Sequence, residues 1–348
     1  MLCRSIIFTK VPLVKALRYK EIFQLVPFFY FAKMPFSKYA MHFPAVLEYD
    51  VDNFTEEIQP YEDELRRRGL SEDVISLGRK LPSQVRVRKE ILHLLTALTN
   101  FHFFEYGSGG NCWGIQTPMI DVDKLSEDEL KKLNTQTSHW TIRSFVYPDV
   151  AKDLQIVDFT TCQSFCEVAE NSYSYFTVNP HTEANNEIKI PPTFESVLDN
   201  YYALDEDDRF TVRQCIGLMF EGVELFESKR SVSLLSTISS IEGMARLDLL
   251  KYGESKNLSA CDSFLRYLKT FVAGRSEEKF RRYYAKRCEI THEGVLFLND
   301  LDLYEQTNEE DWRFRLEVQQ VARLALYNWL NVRRKNRNTV GMRSTAYT

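Results

Sequence analysis

The sequence predicts an α+β N-terminal domain followed by an all-α helical bundle, and three observations predict it. Short β-prone runs broken by turn residues fill the stretch from His42 to about Pro191; apolar residues at helical spacing dominate from about Asp205 onward; and the charge changes sign along the chain. The 348 residues carry 44 lysines and arginines against 49 acids, a net charge of −5. From Ser228 onward the count is 21 against 15, so that part is +6 and the part before it −11. The total speaks against a protein that coats nucleic acid, and a phosphate backbone would meet the C-terminal part. A composition 44% hydrophobic and 27% charged is that of a soluble globular protein. Seven scattered cysteines without a CxxC pair, of which Cys162 and Cys166 lack a nearby histidine, predict a reducing cytoplasm with no disulfide framework and no structural metal. No cofactor motif is present.

Residues 1–40 read as an N-terminal extension. The apolar run at residues 25–32 is too short to span a bilayer and no cleavage site follows it. A buried N-terminal helix, or a true start at Met34, is expected there, with no membrane partner. Residues 41–204 form the mixed domain, with strands expected at 45–49, 101–106, 141–147 and 173–178. Its best helix covers residues 87–98, where Ile91, Leu94, Leu95 and Leu98 recur at helical spacing. The glycine-rich run from Gly107 to Asn111 lacks the features of a nucleotide loop and reads as a loop tip; Trp113 and Trp140 read as core or rim aromatics. This domain has no motif tied to chemistry, and its position in front of the bundle implies a sensor or regulatory role, with an activating ligand or protein bound there.

Pro191 and Pro192 break the chain, and the acidic segment 205–208 opens the helical region, residues 205–335. Five apolar stripes follow. They are Val212, Cys215, Ile216, Met219, Phe220, Val223 and Phe226; then Leu235, Ile238, Ile241, Ala245 and Leu249; then Phe264, Leu265, Leu268, Phe271 and Val272. Phe280, Tyr283, Tyr284 and Arg287 trace the fourth, and Phe314, Val318, Val321, Ala325 and Trp329 the fifth. Such stripes are buried only against one another, which defines a bundle. Residues 336–348 read as a flexible tail.

Of the six histidines, His292 stands in Arg287-Cys288-Glu289-Ile290-Thr291-His292-Glu293-Gly294, an arginine, four residues, then a histidine. Cleavage of a phosphodiester by a ribose 2′-hydroxyl needs a proton acceptor, a proton donor and a cation for the charge building on phosphorus, and an arginine fork with an imidazole supplies these without metal. The spacing alone is weak, because Arg88 and His93 repeat it inside a leucine-rich helix, where a packed histidine is the better reading. Position separates the two. Arg287 falls seven residues after Phe280 on an apolar stripe, a place where a guanidinium needs a partner, and Glu242 on the second stripe is the acid expected to meet it. His292 precedes Gly294 and so lies in a last helical turn, where the dipole favours imidazolium. Five residues along a regular helix turn through about 140°, so the helix must loosen near Thr291 or the site must draw on two chains of a symmetric dimer.

The stretch from about residue 209 to 330 resembles the HEPN superfamily, most nearly its ApeA-like branch. The resemblance rests on Phe220 and Phe226 in an opening helix, on Ser233-Leu234-Leu235 through Ile241-Glu242-Gly243, on the Arg287 to Gly294 helix end, and on Arg323, Leu326, Asn328 and Trp329 in a last helix. It implies a HEPN-like bundle and a homodimeric, metal-independent RNA endonuclease of prokaryotic defence or toxin systems, with Arg287 holding the scissile phosphate and His292 as general acid or base. In that family the residue after the arginine is commonly polar; here it is Cys288. Glu289 is a candidate to orient the imidazole, Glu242 and Asn328 to support the site. Arg282 and Lys286, with Arg333 and Arg334 at the end of the last helix, are the candidate RNA contacts, although such a cluster also caps a helix C-terminus. Two other readings stand beside the enzyme: a degenerate HEPN module that binds RNA, nucleotide or a protein without cutting, and a purely structural scaffold in which Arg287 only pairs with Glu242.

Overall fold

Three strands lie between Leu2 and Pro27. The computed structural model describes residues 1–31, 42–52, 66–105, 114–116, 124–135, 141–143, 154–178, 187–253, 257–297, 300 and 308–343. It divides into two units, one of residues Met1–Leu92, Phe103–Glu167 and Pro180–Lys189, the other of His93–His102, Val168–Asn179 and Ile190–Thr348. In the first, β1 (Leu2–Thr9), β2 (Leu17–Tyr19), β3 (Phe23–Pro27), β4 (Phe43–Asp50) and β5 (Phe103–Phe104) form an antiparallel sheet in the order β2-β3-β4-β1-β5. Two further strands, β6 (Gly114–Gln116) and β7 (Thr141–Arg143), pair with each other, and β8 (Leu154–Gln155) pairs with β1.

β1 therefore has β4, β5 and β8 as neighbours, with Ile6 opposite Val46 and Phe8 opposite Phe104. The buried N-terminal helix is corrected to strands. Every residue of β3 is buried, so its sequence shows a continuous apolar run, which periodicity alone does not tell from a buried helix. The strand expected at 173–178 is also corrected, to the helix Ser172–Thr177. Its tyrosines and phenylalanine favour strands, but Asn171 caps it by accepting from the Ser174 amide at 2.8 Å, and this local hydrogen bond wins. Met34, the Gly107 to Asn111 run, Trp113, Trp140 and the tail from Ser344 lie outside the described residues.

A buried polar cluster centred on Glu48 fastens the sheet unit. The Glu48 side chain is fully buried; it accepts from Arg4 Nε at 2.9 Å and Nη2 at 2.8 Å, from Gln24 at 3.2 Å, and from the Thr160 amide and hydroxyl at 2.8 and 2.6 Å. Register puts Arg4 and Gln24 on either side of Glu48, so the cluster is a row across β1, β4 and β3.

Numbered in chain order, α1 is Glu72–Leu98, α2 Glu127–Thr135, α3 Ser172–Thr177 and α4 Phe194–Tyr202. The bundle follows with α5 (Glu206–Glu224), α6 (Arg230–Tyr252), α7 (Ala260–Phe271), α8 (Glu277–Cys288) and α9 (Glu309–Arg343). Asp205 caps α5, Ser259 caps α7 and Ser276 caps α8, each accepting from an amide three residues on. The helix α4 stands just ahead of the expected opening of the helical region at residue 205, and Val197, Leu198 and Tyr201 bury a face of it.

The stripes read from the sequence are buried, apart from Phe220, Leu235, Tyr284, Arg287 and Phe314, which are half-buried. Two glycines let α5 and α6 come close: a methyl group at Gly222 would strike Thr237, and one at Gly243 would strike the Cys215 thiol. The bundle's polar fastening comes from α9. Arg315 donates to the Phe226 carbonyl and stacks on its ring at 4.2 Å, Gln319 donates to the Gly222 carbonyl at 2.8 Å, and Arg323 donates to the Thr96 carbonyl at 3.1 Å. Burial pushes both arginines down to about 10. The chain therefore has an N-terminal antiparallel sheet and a mostly helical C-terminal region. Among the described residues no helix is long and apolar enough to cross a membrane.

Candidate active site

The helix α8 sets the site. Phe280 and Tyr283 bury its inner face, and Arg287, two turns after Phe280, emerges at the edge of that face with a quarter of its side chain exposed. The α-helical ladder then gives way to a π turn, Glu289–Glu293, in which the Gly294 amide reaches back five residues to the Glu289 carbonyl. Gly294 itself has φ of 69°, the left-handed conformation that a glycine adopts without strain and that ends the helix.

A turn closed over five residues brings positions five apart onto one face, and this is where the helix loosens. Arg287 Nη1 lies 3.3 Å from His292 Nε2 and donates at 3.3 Å to the Thr291 hydroxyl, which in turn donates to the Arg287 carbonyl at 2.8 Å. Behind the guanidinium, Nε lies 3.5 Å from Glu242 Oε1 on α6, and the Tyr284 ring lies 5.9 Å from its centre. Ile290 is buried beneath the turn, whereas Thr291 and His292 are exposed.

A guanidinium has only donors, so Nε2 is the acceptor in its contact with Arg287, and Nδ1 carries the imidazole proton. The exposed pair thus joins a proton acceptor to a fixed cation, the latter held from behind by a carboxylate. Such an arrangement can remove a proton from a hydroxyl and hold an anionic oxygen beside it.

The other candidates separate from this pair. The Glu289 carboxylate goes to Lys286 Nζ at 2.9 Å, and Arg282 pairs with Glu310 at 3.1 Å. Those residues line a cavity of about 200 Å³ with Phe297, Asp311 and Phe314, on the face of α8 turned away from Arg287. Asn328 donates to the Phe271 carbonyl at 2.8 Å, so it ties α9 to the end of α7. Arg333 and Arg334 fall on α9, and their side chains lie outside the described residues. Thr291 and Tyr284 are the members of the site that the motif did not single out as functional; the signal for Thr291 was its place four residues after the arginine.

Among the described residues no group of three histidine, cysteine or carboxylate side chains could hold a metal ion. Compared with protein-family models, curated proteins and solved structures, the chain matches none.

Proposed function

We propose that the chain is a metal-independent RNA endonuclease of HEPN type, working as a cytoplasmic homodimer in a prokaryotic defence or antiviral toxin system. The observation that supports this reading is the 3.3 Å approach of Arg287 to His292 across a π turn. In the proposed reaction the Arg287 Nη1 hydrogen bond passes from His292 Nε2 to the phosphate, and the lone pair so freed takes the proton of a ribose 2′-hydroxyl. The freed oxygen attacks phosphorus, Arg287 holds the non-bridging oxygens, and the 5′-oxygen leaves with a proton from an imidazole, giving a 2′,3′-cyclic phosphate. A dimer with a composite site would supply a second imidazole as that acid. Arg282 and Lys286, on the far face of α8 from the pair and each joined to a carboxylate, are the proposed contacts to RNA away from the scissile bond, and the sheet unit is the proposed seat of an activating ligand or protein.

The experiment is cleavage of total RNA and tRNA by the purified chain in EDTA, with wild type, R287A and H292A. Cutting that leaves cyclic phosphate ends and is lost in both variants is the expected result; cutting that survives H292A would sink the assignment. A second reading rests on the Arg287–Glu242 pair and on Cys288: a module that binds RNA, nucleotide or protein without cutting, or a scaffold in which that pair is only a fastening. Binding of labelled RNA without cleavage would favour the first of these, and neither binding nor cleavage the second.

A further inference from the structure

We infer that Thr291 is the positioning residue of the Arg287–His292 pair: its hydroxyl holds the guanidinium against the imidazole and fixes which imidazole nitrogen carries the proton. Its catalytic consequence rests on the ribonuclease reading; its structural content does not.

An arginine side chain is long and loses much rotamer freedom when held in one place, so a single carboxylate at 3.5 Å leaves it several positions. The Thr291 hydroxyl removes that freedom from the other side. It donates to the Arg287 carbonyl at 2.8 Å, which orients its lone pairs outward, and one of them accepts Nη1 at 3.3 Å. The same Nη1 then faces His292 Nε2 at 3.3 Å. The nitrogen is thereby shared between residues four and five positions ahead, the two that a turn passing from α to π geometry brings to one side. A threonine fits for a second reason, because its branched Cβ restricts χ1 and keeps the hydroxyl over the preceding turn. Glu242 fixes the back of the guanidinium and Thr291 the front.

The consequence is spectroscopic as well as kinetic. With Nη1 held at Nε2, the neutral imidazole is the Nδ1–H tautomer, opposite to the preference of free histidine. The test uses the full chain with ¹⁵N-labelled histidine and compares wild type, T291S and T291V, with the His292 signals assigned by their loss in H292A. Wild type and T291S are expected to show the Nδ1–H pattern in the neutral imidazole, and T291V, which keeps the shape and drops the hydroxyl, a shift toward Nε2–H. In the EDTA cleavage assay T291V should lose about tenfold in kcat with KM little changed, the order expected for one hydrogen bond, and T291S should keep the rate. A folded T291V whose tautomer matches wild type, or a wild type without the Nδ1–H pattern, overturns the inference. Should no form cut RNA while T291V alone changes tautomer, the positioning role stands and the ribonuclease reading falls.

Discussion

In the helix α1 and at the end of α8 the chain sets an arginine five residues before a histidine, with different results. Arg88 and His93 lie within unbroken α-helix, where five residues rotate the side chains apart. Arg88 is wholly buried and donates to Glu105 at 2.6 Å and to the Tyr49 hydroxyl at 3.5 Å, while the His93 ring stacks on Phe220 at 4.2 Å. Arg287 and His292 straddle a π turn, and their nitrogens meet at 3.3 Å in contact with solvent. The sequence spacing is the same; one change in the step of the backbone ladder decides whether it makes a pair. Burial then decides its use, since a guanidinium closed on carboxylate and phenol is a fastening, and one presented beside an exposed imidazole can meet a substrate.

The most severe way to break this contrast is to remove the histidine that is expected to react. His292→Ala should lower RNA cleavage in EDTA by about 10² to 10⁴, the range for a general acid or base, with no loss of stability in urea because the ring is exposed. Arg88→Ala should do the reverse. Removing a buried guanidinium leaves Glu105 without its partner and costs about 2–3 kcal/mol, read as a lower urea midpoint, while cleavage per folded molecule stays at the wild-type rate. Should R88A abolish cutting in a chain that still melts like wild type, the two pairs would have to exchange roles.

How far the sequence revealed this contrast depends on the residue. The five stripes of the bundle were legible because helix periodicity reports burial directly, and Asp205 announced its helix through the acids behind it. Glu242 was legible as a partner for Arg287 because a carboxylate and a guanidinium on two apolar stripes need each other. The strands β1 and β3 were hidden because most of β1 and all of β3 is buried on both faces, which erases the alternation that marks a strand. Arg315 and Arg323 were hidden for a related reason: their partners are carbonyls, and the sequence does not show which carbonyls a bundle leaves unpaired. The π turn was legible only as a necessity. Five residues turn a regular helix through about 140°, so the pair needs a loosened helix or a second chain, and the choice between them lay in backbone hydrogen bonds.

Glu242 sharpens the contrast at smaller cost. Glu242→Gln keeps the shape and removes the charge behind Arg287, and with both side chains partly exposed the change in stability should stay below about 1 kcal/mol. Cleavage should fall about tenfold, because the guanidinium loses the restraint that aims it. An unchanged rate in E242Q would mean that the Thr291 side of the arginine suffices.

The smallest effect compares the two units through one buried thiol in each. Burial pushes Cys166, in the sheet unit, and Cys215, in the bundle, up to about 12 from an ordinary 9.0. A thiol raised in the folded state holds its proton while the unfolded chain gives it up, so its stabilising share is complete below about pH 9 and is lost as pH rises toward 12. Each thiol should then contribute a slope approaching 1.4 kcal/mol per pH unit above 9, and roughly 1 kcal/mol of loss by pH 10. Urea titrations at pH 8 and pH 10 on wild type, Cys166→Ala and Cys215→Ala measure it, each variant being expected to lose one thiol's share of the drop. If the two units unfold separately, C166A should flatten only the transition of the sheet and C215A only that of the bundle. A single transition flattened equally by both would show that sheet and bundle unfold together, and that the fastening around Arg88 and the pair at Arg287 belong to one cooperative fold.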